Sequence, residues 1–299
     1  MRRNLILILI AILYIVLFNG CKSCKKEVPN QEVQVEVDEE VINDINKAKK
    51  IFYSLPSPLE TAMLIKTAGA VYNEKLLNPI SNATNYTTSK SMALNLGIYT
   101  TDLSFASLFD QTQTAINYMQ VAKKMAEGLG ILDAIDNKTI QKLEENVNNR
   151  DVIMDIISET FMSTTSFLKE NDRTAVAAVV LVGGWVEGLY IGTSLVDPNH
   201  IKDNKLVERI VDQKLSLDIV LKLLEENKSN PDVASVYVEM VDLKKVFDKI
   251  ELKTSKIETQ VDKKTNVTTL KSESKMNVSP EVFKELTNKV RAIRSNFVL

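Results

Sequence analysis

Between Thr174 and Val196 the chain reads TAVAAVVLVGGWVEGLYIGTSLV, and from Ala175 to Val186 no position is polar. A helix that is apolar all round is buried in a core or spans a membrane. Roughly 20 apolar residues are enough to span, so both readings are open by length. Gly184, Gly188 and Gly192 form one stripe on this helix. Each glycine costs a helix interior about 1 kcal/mol relative to alanine, and close approach of a neighbouring backbone is the usual compensation. Glu187 lies on a different, apolar arc between Val180 and Ile191. Its carboxylate therefore either has a partner or opens onto a groove.

The other apolar stripes recur at helical spacing. Ser57-Pro58-Leu59-Glu60 is a start signal, with Ser57 as N-cap, proline first and Glu60 closing a capping box. The predicted helix runs to Leu77, with Leu59, Ala62, Met63, Ala70 and Leu77 inward. Lys66 and Asn73 fall inside that arc. Asn78 to Thr87 is a polar loop.

Ser89 to Phe109 carries a broad apolar arc through Leu96, Tyr99, Leu103 and Phe105. Asn95 and Asp102, two helical turns apart, share one azimuth inside it. Lys66, Asp102 and Glu187 thus each occupy a core-like face. Buried charges must pair or shift their pKa, so one cation and two acids suggest a shared cluster. Asn73, Asn95 and Tyr99 are the other members of this candidate ligand-binding set.

Further helices are predicted from Asp110 or Thr112 to Leu129, Asp136 to Val147, Asp151 to Lys169, Asp203 to Glu226 and Pro231 to Ile250. Asp172 is the expected N-cap of the apolar helix. Leu252 to Val278 is rich in Thr, Ser and Lys and alternates around Val261 and Val267, so Asp262 to Asn266 is either a hairpin turn or part of an irregular loop. Ser279-Pro280-Glu281 opens a last helix with Val282, Phe283, Leu286, Val290 and Ile293 apolar. The expected fold is all-α, a bundle or array around the glycine-bearing helix, with a small β-hairpin near the C-terminus.

Glycine (9) and proline (7) are sparse in 299 residues, which suits long helices. The formal charge of −2 gives no basic face for nucleic acid. There is one histidine, His200, and two cysteines, Cys21 and Cys24. That excludes His/Cys zinc clusters and makes a cysteine nucleophile a poor reading. No cofactor, metal site or catalytic residue is assigned. Carboxylate-only chemistry at Asp102 and Glu187 would need the two groups roughly 5–9.5 Å apart in an open cleft.

Met1 to Gly20 has the form of an export signal, with Arg2-Arg3 ahead of an apolar run from Leu5 to Phe18. Leu17-Phe18-Asn19-Gly20-Cys21 resembles the lipobox of bacterial lipoproteins, which implies lipidation at Cys21. Phe18 and Asn19 depart from the commonest residues at their positions. The expected organisation is signal peptide 1–20, tether 21–40, helical domain 41–251, hairpin or loop 252–278 and C-terminal helix 279–299. A short amphipathic helix is expected from Glu40 to Phe52.

LPSPLETAMLIK (Leu55–Lys66) and MALNLGIYTTDLSFASLFD (Met92–Asp110) resemble a group of helical lipoproteins from Bacteroidota. The resemblance covers most of the chain. It implies a compartment, the cell envelope, and no activity. The expectation is a lipid-anchored binding or scaffold protein on the outer membrane, facing the periplasm. Its membrane contact is the lipid, its partner an envelope protein, and nucleic acid is not expected. A small-ligand carrier and a carboxylate-dependent hydrolase are the alternatives.

Overall fold

The computed structural model describes residues 57–132, 141–143, 145–146, 149–254, 258–262, 267–271 and 274–299. The signal peptide, the tether, Cys21 and the expected Glu40–Phe52 helix lie outside them, as does most of the expected Asp136–Val147 helix. Eight long helices are described: α1 Pro58–Thr67, α2 Ser89–Leu108, α3 Thr112–Gly128, α4 Arg150–Glu170, α5 Thr174–Ser194, α6 Lys205–Glu226, α7 Pro231–Phe247 and α8 Pro280–Phe297. Between α7 and α8 the chain runs out and back through β1 Glu251–Thr254, β2 Glu258–Asp262, β3 Val267–Lys271 and β4 Ser274–Asn277. β1 pairs antiparallel with β4 and β2 with β3, with Asp262 opposite Val267. The protein is all-α, and of the hairpin and loop readings left open for Leu252 to Val278 the described strands follow the hairpin.

α5 is the centre of the array. It packs against α2 most extensively and also touches α1, α4, α6, α7 and α8. It is long and apolar enough to cross a membrane, but 83% of its most apolar window is buried inside the protein. Apolar surface that lipid could cover is here covered by other helices.

The glycines of α5 do allow close approach, though not all on the expected stripe. A Cβ on Gly183 would stand 2.1 Å from the Leu94 carbonyl oxygen, and one on Gly97 of α2 would stand 2.0 Å from that of Val180. The two backbones are in contact. Gly184 faces Gly97 and Thr101, Gly188 meets the Thr61 side chain, and Gly192 has only ordinary neighbours.

Four boundaries differ from expectation. The Ser57 capping box forms, with Glu60 N–H donating to Ser57 Oγ at 3.2 Å and Ser57 N–H to Glu60 Oε2 at 2.6 Å. Yet α1 ends at Thr67, not Leu77. Gly69 adopts φ +92°, and the Ala70 N–H reaches back to the Ile65 carbonyl, closing the helix end. Asp172 does not cap α5. It sits at φ +56° past the end of α4, and Arg173 holds the N-cap position of α5. Asp110 (φ 60°) and Asp203 (φ 55°) likewise occupy left-handed turns and start no helix. Aspartate tolerates that conformation better than most residues, so an aspartate before an apolar stripe is ambiguous between starting one helix and ending another.

Candidate functional site

The polar residues of the core meet where α2, α5 and α8 converge. Asn95, Tyr99 and Asp102 lie along one side of α2, and all three are fully buried, as is Glu187 of α5. The cation opposite them is Arg294 of α8. Its Nε and one terminal nitrogen donate to Glu187 Oε2 and Oε1 at 3.0 and 3.1 Å, a two-point clamp. The guanidinium also stacks 4.7 Å from the centre of the Tyr190 ring.

Lys66 is elsewhere. Its ammonium donates to the Leu108 carbonyl at the end of α2 and lies 5.2 Å from the Phe109 ring centre. A cation there complements the negative end of the helix. The expected Lys66–Asp102–Glu187 grouping is therefore corrected: Arg294 supplies the charge. Asn73 does not join either. It is exposed, and its Oδ1 accepts from the Lys75 N–H to open a short 3-10 turn, Glu74–Leu76. Once α1 ends at Thr67, the helical azimuth that pointed Asn73 inward no longer applies.

A residue from the polar loop completes the cluster. Asn78 is fully buried, and each of its polar groups is used. Its N–H donates to Asp102 Oδ2 at 3.0 Å, and its Nδ2 donates to Asn95 Oδ1 at 3.1 Å and to the Tyr86 hydroxyl at 3.0 Å. Its Oδ1 accepts from Asn82, and its carbonyl accepts from the Tyr118 hydroxyl. Asn95 Nδ2 donates to the Phe297 carbonyl at 2.8 Å, and Tyr86 donates to that of Val298 at 3.2 Å. Tyr99 donates to the Pro79 carbonyl at 3.0 Å. The network satisfies the last carbonyls of α8, which would otherwise lack helical partners.

Asp102 and Glu187 lie close enough to shift each other's titration. The Arg294 clamp holds Glu187 as the anion. Asp102 Oδ2 accepts from the Asn78 N–H, and its Oδ1 is buried with no hydrogen-bond partner. A buried charge with so little compensation is disfavoured, so the proton belongs on Asp102. Burial, and then the adjacent Glu187 charge, hold the Asp102 carboxyl well above the usual range. Burial also pushes Glu187 up, while Arg294 pulls it back. For Arg294, burial opposes the charge, but the Glu187 carboxylate more than restores it, so its pKa lies above the ordinary value. One carboxylate, one guanidinium and one neutral acid leave no net charge in the core. Around them, burial raises the phenols of Tyr99 and Tyr118, and raises that of Tyr72 to about 12.

This arrangement lacks the open cleft that the hydrolase reading requires. Both acids are fully buried. His200 is on the surface with its Nδ1 2.7 Å from Asp197 Oδ2. Among the described residues no three His, Cys, Asp or Glu side chains are grouped to hold a metal.

Sequence reasoning missed Arg294, Asn78, Tyr86 and Tyr118. Arg294 was legible: Leu286, Val290, Ile293 and Phe297 define a stripe at helical spacing, and Arg294 falls on it. Asn78 had no such signal, since a loop residue has no periodicity to place it. No family model, no curated protein and no solved structure matches this chain.

Proposed function

We propose that this chain is a lipid-anchored binding protein of the bacterial cell envelope, held in the outer membrane through Cys21 and facing the periplasm. On this reading the helical domain is a rigid body and the Asp102–Glu187–Arg294 cluster is a clamp that holds it together. One observation carries the second half of the reading. The ionisable groups of the core face one another and the loop around Asn78, and all three are buried away from solvent, where no substrate reaches them. The anchor rests on the Leu17–Cys21 segment. Two or more acyl chains attach a protein lastingly where one does not.

The test is metabolic labelling with palmitate, followed by membrane fractionation. Wild type carries label in the outer-membrane fraction and resists protease added to intact cells. Cys21→Ala loses the label and leaves that fraction. An unlabelled wild type, or a labelled Cys21→Ala, overturns the anchor. Crosslinking in intact membranes then tests the binding role: a discrete adduct supports a scaffold for an envelope partner.

A further inference from the structure

The ribbon between α7 and α8 is a sheet of two strands wherever it is described, β1 with β4 and β2 with β3. A two-stranded ribbon is marginal in water, and a third strand or a covering element is what stabilises it. α6 packs beside β4. Further out, β2 and β3 each keep one edge that no other described strand takes. Such an edge is a template for another strand. Neither strand contains proline, which would block it.

The two edges differ in what a second copy would place against them. When one strand pairs antiparallel with its own copy, a two-fold axis passes through its middle residue. For β2, Glu258–Asp262, that axis lies at Gln260 and sets Glu258 opposite Asp262 of the second copy, twice. Like charges directly opposite destabilise a sheet. For β3, Val267–Lys271, the axis lies at Thr269 and sets Thr268 opposite Leu270 and Val267 opposite Lys271. No like charges meet there. Val267, Thr268 and Thr269 are also β-branched, which favours strands.

We propose that the outer edge of β3 is a self-pairing surface, and that two copies of this chain join there into one antiparallel sheet in the order β2-β3-β3-β2. The acids of β2 then guard both outer edges, so the assembly closes at two copies. A standard interface uses roughly 20–30 residues a side, and this one uses the short strand Val267–Lys271. The dimer is therefore weak in free solution and gains from a shared membrane, which concentrates both copies. That gain rests on the lipid anchor proposed above, whereas the pairing edge does not.

The experiment is disulfide trapping of the full chain in isolated membranes under mild oxidation. Cys24→Ser alone gives the baseline. Thr269→Cys in that background should yield a disulfide-linked dimer. Opposite residues of antiparallel strands have Cα atoms roughly 4.5–5.5 Å apart, within the span of a disulfide. Gln260→Cys, on the acidic edge, should stay at baseline. Val267→Lys separates the dimer from the hairpin. Within one copy Val267 lies opposite Asp262, so a lysine suits its own ribbon. Across the axis it meets Lys271, and it should lower the Thr269→Cys dimer yield about fivefold at limiting oxidant. Equal helix content by circular dichroism shows that these variants leave the array folded. A Thr269→Cys yield at baseline overturns the proposal. So does a yield matched by Gln260→Cys, or one that Val267→Lys leaves unchanged. A mixed disulfide between co-expressed Thr269→Cys and Gln260→Cys chains, the mark of an open head-to-tail row, overturns it as well. A chain that fails palmitate labelling is trapped in the soluble fraction at high concentration, so the anchor and the pairing fail separately.

Discussion

α2 meets α5 in two ways within a few turns. At Leu94, Gly97, Gly183 and Gly184 the contact is backbone on backbone, and no side chain stands between the helices. Further along, Asp102 and Glu187 are buried near each other, with Arg294 clamping Glu187. Thr101 marks the change, its hydroxyl within 3.1–3.2 Å of the Gly97 and Gly184 carbonyls. The glycine contact fixes only the distance between two helices. The polar contact also selects what else docks there, because its bonds reach from Asn78 to Val298. Shape complementarity is local, whereas hydrogen-bond complementarity gathers distant segments.

The polar end should be the more sensitive to removal of one partner. Glu187→Ala leaves Arg294 buried and uncompensated, and should cost roughly 3–5 kcal/mol in urea unfolding. Glu187→Met with Arg294→Met should cost less than either truncation alone, since a buried ion pair can often be replaced by well-packed apolar groups. A double variant as damaged as the sum of the singles would show no coupling between the two side chains and would overturn the ion pair as the reason for the single losses. The glycine end should be sensitive to addition. Gly97→Ala places a methyl against the Val180 carbonyl oxygen, which cannot rotate away. The helices must separate, at a cost of about 3 kcal/mol. A Gly97→Ala chain as stable as wild type would mean that this contact is looser than it looks.

The same contrast governs what the sequence discloses. The apolar run, the hairpin around Val261 and Val267, and most helix spans follow from periodicity, which is a local property. The inward azimuths of Asn95, Asp102 and Glu187 follow in the same way. Partner choice does not. Lys66 and Arg294 both lie on core-facing arcs, and only the packing of α8 beside α5 decides that Arg294 reaches Glu187 while Lys66 caps α2. Asn78 was beyond reach, since its role depends on where α1 stops. That stop is set by Gly69, inside a stripe that otherwise continues to Leu77.

The protonation of Asp102 gives a subtler test. Folded Asp102 keeps its proton above the usual carboxylate range, whereas the unfolded chain releases it near pH ~4. Between those points the folded state binds more protons. This contribution to stability is therefore complete below the ordinary carboxylate pKa and is lost as pH rises through the folded one, by at most about 1.4 kcal/mol per pH unit. Asp102→Asn keeps an oxygen for the Asn78 N–H and carries no charge at any pH. The variant should be close to wild type at pH 5 and more stable than wild type at pH 9, with a flatter profile. Parallel profiles for the two chains would place the proton elsewhere.

The smallest effect separates glycines that touch backbone from one that does not. Gly192 lies on the stripe with Gly184 and Gly188, so sequence spacing alone treats the three as equivalent. A Cβ on Gly192, however, would sit 3.5 Å from Ile210 Cγ1 and 3.6 Å from its Cδ1, ordinary packing distances against α6. Nothing has to move, and the added methyl removes backbone freedom from the unfolded chain. Gly192→Ala should therefore stabilise by about 0.5 kcal/mol, a small rise in the urea midpoint with no change in slope. Gly97→Ala changes the same residue type in the opposite direction. If both substitutions destabilise alike, helix–helix distance is set along the whole length of α5 and not at the Gly97–Gly183 crossing.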